Sequence, residues 1–205
     1  MRWKVCGMRE PKNISEVAAL QPNYMGFILW DGSKRYCPKP QQVPDQITKV
    51  GVFVDADVIK IENAIENYKL GAVQLHGNED EKFCKELSSF CNVIKAFRID
   101  DTFDLNDIEK YSKYCKYFLF DTFTESYGGS GKKFNWDLLL NYDHKKDFIL
   151  SGGINLELIS SIKKLKNQLP NLIGVDLNSK FEIKPGLKDI NRVKKFIKSI
   201  KNENT

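Results

Sequence analysis

Eight short runs rich in apolar and β-branched residues recur along this chain, and amphipathic segments separate them. They cover residues 4–6, 24–29, 50–54, 72–76, 93–97, 117–120, 148–151 and 172–176. Their spacing of roughly 20 to 30 residues is the length of one strand–helix unit. In the gaps, apolar side chains fall at helical intervals. The stripes are Ile14, Val17, Ala18 and Leu20; Val58, Ile61, Ile65 and Tyr68; and Phe83, Leu87 and Phe90. Two more follow: Leu156, Ile159, Ile162 and Leu165, then Val193, Phe196 and Ile197. Nearly continuous apolar strands alternating with amphipathic helices read as an α/β fold, a parallel sheet covered by helices. Eight strands predict closure into a (β/α)8 TIM barrel, a single domain over residues 1–205, at the short end of that fold's ~200–400 residues. The alternative is an open doubly wound sheet. It is weakened because Cys6-Gly7-Met8-Arg9, after the first strand, is not the GxGxxG that a dinucleotide site needs.

Composition narrows the partners. An apolar share of 41% excludes a disordered chain. The net charge of +5 comes from scattered lysines, and pairs such as Lys163-Lys164 and Lys194-Lys195 alternate with Ile and Leu at helical spacing. They read as solvated helix faces, so no nucleic-acid partner is expected. No run approaches the ~20 apolar residues of a membrane span. Met1-Arg2-Trp3-Lys4 leads into a strand instead of a secretory core. The five cysteines form no CxxC pair, which argues against a disulfide framework and a zinc site. Reduced thiols, a cytoplasmic location and a monomer without long apolar surface segments are the expectations.

The chemistry concentrates at strand ends, which in such barrels form the active-site face. Cys6 closes the first run and shares a face with Lys4, while Val5 takes the other. Asp121 closes the sixth and shares a face with Leu119, leaving Phe118 and Phe120 to meet the helices. A thiol and a carboxylate held on rigid strands suit an acid–base pair. Taken alone, Cys6 also reads as a small buried hydrophobe. Asp121 is costly to bury unless something pairs with it or uses it. The last two runs end in anion-binding patterns, Ser151-Gly152-Gly153 and Asp176-Leu177-Asn178-Ser179, where loops of this fold often hold phosphate. Gly128-Gly129-Ser130-Gly131 reads as a mobile lid. Arg35 suits a substrate carboxylate or a solvated turn, and His76 a substrate contact or a structural role. His144, among Asp and Lys residues, reads as exposed. No HxH, HExxH or carboxylate cluster has metal-ligand spacing, so no metal is expected.

In order and spacing these pieces resemble the phosphoribosylanthranilate isomerase family over nearly the whole chain. The match runs through Lys4-Val5-Cys6-Gly7, Ser33-Lys34-Arg35-Tyr36, Val73-Gln74-Leu75-His76-Gly77 and Asp121-Thr122. It continues in Tyr127-Gly128-Gly129-Ser130-Gly131, Leu150-Ser151-Gly152-Gly153, Val175-Asp176 and Pro185-Gly186 with Asp189. The resemblance implies a cofactor-free barrel that performs an Amadori rearrangement of a small phosphoribosyl substrate in tryptophan biosynthesis. It further implies Asp121 as general acid, Cys6 as general base and Arg35 as holder of the anthranilate carboxylate. His76, Gly129, Ser130, Gly152, Gly153, Asp176, Asn178 and Ser179 complete the expected substrate site. For these roles Cys6 needs help from neighbours such as Lys4 or Arg9, and Asp121 must start protonated. Lys180 stands where relatives often carry glycine, and adds a cation beside the expected phosphate. Rival phosphosugar barrels fit worse, since an indole-glycerol-phosphate synthase needs catalytic lysine and glutamate on other strands. A pentose-phosphate epimerase needs metal-binding histidines. A binder that had lost its chemistry would lack Cys6 or Asp121.

Overall fold

The computed structural model describes residues 1–100, 102–122, 136–143 and 145–201. Eight strands form the frame: β1 (Arg2–Val5), β2 (Tyr24–Ile28), β3 (Thr48–Phe53), β4 (Ala72–Leu75), β5 (Val93–Ile99), β6 (Tyr117–Thr122), β7 (Phe148–Ser151) and β8 (Leu172–Leu177). Each pairs in parallel with the next, and β8 returns to β1 through Lys4↔Asp176, so the sheet closes into a barrel and the open-sheet alternative falls.

Pleating sorts the side chains into two layers. Tyr24, Val50, Ala72, Ile94, Leu119 and Ile149 cluster inside the barrel. Val5, Phe27, Phe53, Phe118, Phe120 and Phe148 join the larger cluster between sheet and helices. The two phenylalanines of β6 therefore face outward, as alternation requires for Asp121 to face the mouth. Phe120 meets Phe148 with ring centroids 4.7 Å apart and Tyr142 at 5.3 Å. Burial of each such ring contributes about 1.5–3 kcal/mol. At the amino-terminal mouth, Arg2 Nη1 donates to Tyr24 OH at 3.2 Å and to Tyr117 OH, and the two rings meet edge to face. That plug leaves the carboxyl-terminal mouth for a site.

Five α-helices coincide with the five stripes: α1 (Pro11–Ala18), α2 (Val58–Tyr68), α3 (Glu81–Ser88), α4 (Ile159–Gln168) and α5 (Ile190–Lys201). Asp57 and Asp80 cap α2 and α3, accepting from Lys60 N at 2.7 Å and Phe83 N at 2.8 Å. Three stripe residues fall outside: Leu20 follows α1, Phe90 follows α3 and is exposed, and Leu156 lies in the 3-10 turn that precedes α4. Among the described residues, three crossovers lack an α-helix. The β2–β3 connection carries Pro38, Pro40 and Pro44, which cannot donate to a helix. The β5–β6 and β6–β7 connections hold 3-10 helices at Leu105–Tyr111 and Trp136–Asn141.

After β8 the chain makes a small antiparallel hairpin, β9 (Glu182–Lys184) and β10 (Leu187–Lys188), turned by Pro185-Gly186 with Gly186 at φ +83°. Pro followed by a left-handed Gly is the chemistry of a tight reversing turn. This hairpin, absent from the eight-run pattern, reaches back to the mouth beside β1.

Candidate active site

A cavity of about 300 Å³ opens at the carboxyl ends of the strands. Cys6 enters its lining from just beyond β1, where its N–H still donates to Leu177 O at 2.9 Å and extends the β1–β8 ladder. Asp121 enters from β6, in register with Arg98 and Ser151. The two groups thus come from separate arcs of the ring and line one cavity.

The surroundings of Cys6 are charged. Lys4, fully buried one pleat below, donates from Nζ to Asp176 Oδ2 at 2.7 Å. Burial works against the Lys4 charge, but the Asp176 carboxylate overrides it and holds the ammonium above its ordinary value. Burial pushes the Cys6 thiol up, opposed by the positive charge of Lys4 and, more weakly, of Lys188. Lys4 shares the border of Gly26 with the sulfur, whereas Arg9, the other expected helper, turns instead to Glu10 and Lys34 O. Gly26 on β2 makes this packing possible: a Cβ there would lie 2.8 Å from Cys6 Sγ and 3.1 Å from Lys4 Nζ.

Asp121 is half-buried and has a partner that local sequence did not reveal. His76, just after β4, approaches Asp121 Oδ2 with Nε2 at 3.1 Å and meets Gln74 Nε2 with Nδ1 at 2.8 Å. Gln74 Nε2 donating to Nδ1 leaves the ring hydrogen on Nε2, directed at the carboxylate. The loop holding His76 is itself anchored. Glu79 accepts from Asp55 N at 2.9 Å and Gly77 N at 3.0 Å, and pairs with buried Lys95 at 3.0 Å.

Beside Asp121 in the ring, Ser151, Gly152 and Gly153 follow β7 into the lining. Gly152 and Gly153 take φ +83° and +61°, left-handed conformations that only glycine adopts without strain. Consecutive turns of this kind expose backbone N–H groups to an anion. Asn178, Ser179 and Lys180 continue the same wall after β8, and Asp176 lies beneath them. Ile28, Val52, Val54 and the half-exposed Trp30 supply an apolar wall from β2 and β3.

Arg35 does not line the cavity. Its guanidinium grips Glu182 of the hairpin through Nε at 2.9 and 3.0 Å and through Nη2 at 2.6 Å. The chain carbon Cδ passes over Gly7, where a Cβ would come within 2.7 Å of it. Glu182 also accepts from Lys188 Nζ at 2.7 Å and Gly186 N at 3.1 Å. Glu182, Lys188 and Gln74 are therefore parts of the site that sequence reasoning passed over. Their only signal was proximity to the Pro185-Gly186 turn and to His76. Gly129, Ser130 and His144 lie outside the described residues. Among the described residues, no group of three or more His, Cys, Asp or Glu side chains could hold a metal ion.

Residues 3–199 match the sequence profile of a family described as N-(5'phosphoribosyl)anthranilate (PRA) isomerase. An N-(5'-phosphoribosyl)anthranilate isomerase of Parabacteroides distasonis is 47% identical, over 96% of this chain and 92% of the relative. The crystal structure of phosphoribosyl anthranilate isomerase from Thermotoga maritima superposes with TM-score 0.85 at 31% identity, covering 99% of this chain and all 100% of that one. A second solved structure, an isomerase in complex with reduced 1-(o-carboxyphenylamino)-1-deoxyribulose 5-phosphate, gives TM-score 0.83 at 28% identity, with 99% and 100% covered.

Proposed function

The chain belongs to the N-(5'-phosphoribosyl)anthranilate (PRA) isomerase family, and we propose that its cavity converts PRA to 1-(2-carboxyphenylamino)-1-deoxyribulose 5-phosphate, a step of L-tryptophan biosynthesis. The observation that carries this reading is the shared cavity of Cys6 and Asp121, walled on one side by the Gly152-Gly153 and Asn178–Lys180 loops. A phosphate bound at those loops lies between β6 and β1 in ring order, so the attached ribose spans the mouth from Asp121 to Cys6.

Asp121, protonated, gives its proton to the furanose ring oxygen, and the C1–O bond breaks to leave a Schiff base. Cys6, as thiolate, removes the proton from C2. The electron pair moves into an enolamine, which tautomerises to the ketone at C2. C1 is reduced and C2 oxidised within one molecule, so the reaction is an internal aldose–ketose redox exchange and needs no external electron acceptor. The hydrogen bond from His76 strengthens as charge appears on the Asp121 carboxylate, which favours proton release at the right moment. Burial makes Cys6 a stronger base once ionised, and Lys4 supports the ionised form. Arg35, outside the cavity lining in this structure, is assigned to the anthranilate carboxylate on the family's pattern; Glu182 holds its Nε and Nη2, which leaves Nη1 for that contact. Gly129 and Ser130 are assigned to the phosphoribosyl end on the family's pattern.

Asp121→Asn and Cys6→Ala should each lower turnover of purified enzyme by roughly 10²- to 10⁴-fold while leaving the melting temperature near that of the parent. Wild-type rates from either variant overturn the assignment of that residue. Failure of the gene to rescue a tryptophan auxotroph lacking this isomerase would overturn the function itself. A cytoplasmic monomer is the companion reading: all five thiols are free, and sedimentation velocity checks the mass.

A further inference from the structure

Three side-chain cations and two carboxylates gather on the Cys6-Gly7 side of the mouth from four elements. Cys6 Sγ and Lys4 Nζ both border Gly26, while Arg35 and Asn178, which accepts from Lys188, both border Gly7. Lys4 comes from β1 and Asp176 from β8, Arg35 from the loop after β2, and Glu182 and Lys188 from the β9–β10 hairpin. Lys4 pairs with Asp176 at 2.7 Å, while Glu182 serves both Arg35 and Lys188. One positive charge is therefore left over in a region where both lysines are fully buried. Asp121, His76 and Arg98 face Cys6 only from across the cavity.

Lys188 is held at every point. Its backbone N–H donates to Asn13 Oδ1 at 2.7 Å, and its carbonyl accepts from Asn13 Nδ2 at 3.0 Å. Its Nζ donates to Glu182 Oε1 at 2.7 Å and to Asn178 Oδ1 at 2.8 Å. The same Asn178 oxygen would lie 2.9 Å from a Cβ at Gly7, the residue next to Cys6. An ammonium has three N–H groups and these contacts use two. Glu182 compensates this buried ammonium at 2.7 Å but is shared with the Arg35 guanidinium, so the two cations together keep one uncompensated charge. The group lacking a counter-ion is the one that gains: a thiolate at Cys6 brings the cluster to neutrality.

We propose that Lys188 is a positioning residue for Cys6, a buried ammonium set by Glu182 and Asn178 so that its charge favours the anionic sulfur from which the C2 proton is taken. The proposal rests on Cys6 being the base. Within the cluster it divides the labour: Lys4, paired with Asp176, lies nearer the sulfur, and Lys188 with Arg35 adds the positive charge that their shared Glu182 leaves uncompensated. The hairpin is the device that delivers it.

Lys188→Met keeps the length and removes the charge. On the full chain, the pH dependence of iodoacetamide alkylation, corrected with Cys6→Ser, reads the ionisation of this thiol without any turnover. Lys188→Met should move that profile to higher pH by about one unit, a roughly tenfold slower alkylation at neutral pH. The rising limb of kcat/KM should move by the same amount, with KM unchanged, and Lys188→Arg should restore both. Glu182→Gln should move the thiol the opposite way, to lower pH, and keeps the test available if Lys188→Met does not fold. A thiol profile that stays in place in folded Lys188→Met, or that shifts upward in Glu182→Gln, overturns the proposal. A thiol profile that shifts as expected while Cys6→Ala retains wild-type turnover overturns the base assignment and leaves the electrostatic claim standing.

Discussion

His76 reaches Asp121 at 3.1 Å with a ring whose other nitrogen is occupied by Gln74. That chain makes the imidazole a donor to the carboxylate, and a hydrogen bond to a charged group is worth about 1.5–3 kcal/mol. His76→Ala should therefore lower kcat by roughly 10- to 100-fold with KM little changed, as steady-state kinetics will show. An unchanged kcat removes this role. Gly26→Ala tests the other end of the mouth, because the added methyl would press on Cys6 Sγ and Lys4 Nζ. Loss of turnover is expected in a protein that still folds, judged by circular dichroism. At this scale the strand-end groups were legible: Cys6 and Asp121 each interrupt an apolar run where alternation points inward. Lys188 was not, being one of 32 basic residues and distant in sequence from the thiol it accompanies. Arg35 was legible as a cation near the mouth, but its carboxylate partner Glu182 lies 147 positions away.

Elements carry these groups to the site with different tolerance. The β1, β6 and β8 ends are fixed by ladders on both sides, whereas the β9–β10 hairpin hangs on one turn and on the bonds of Glu182 and Asn13. Gly186 turns it at φ +83°, with the Arg9 side chain packed where a Cβ would go. Gly186→Ala should cost about 1–3 kcal/mol, read as a lower urea midpoint, and should also raise KM by loosening Arg35. A variant with wild-type midpoint and KM shows that the hairpin does not depend on this turn. The five helical stripes were readable because burial repeats every 3.6 residues within one element. The β5–β6 and β6–β7 connections were not, since 3-10 turns leave no such period, and the hairpin was too short to show an alternation.

For the whole molecule, acid and alkali act on different groups. Burial raises the thiols of Cys6, Cys37 and Cys91, the last to about 11, and a hydrogen bond with Cys84 raises Cys115. The folded state thus holds these protons more tightly than the unfolded chain. Their contribution is complete below the ordinary thiol range near ~8.5 and is lost as pH climbs toward the folded values. The urea midpoint should fall between pH 8.5 and 11, and a flat midpoint across that range contradicts it. Glu182 has the opposite sign: burial pushes it up, but Arg35 and Lys188 hold it below the carboxylate range, so its contribution disappears on acidification. The amino-acid order alone determined the closed eight-stranded barrel and which strand ends carry a thiol and a carboxylate, because hydrophobic period and strand count are local properties that sum along the chain. Which charges surround that thiol, and that His76 meets Asp121, were decided only in three dimensions. Electrostatic partners are chosen by proximity across a buried mouth, and sequence separation carries no information about that distance.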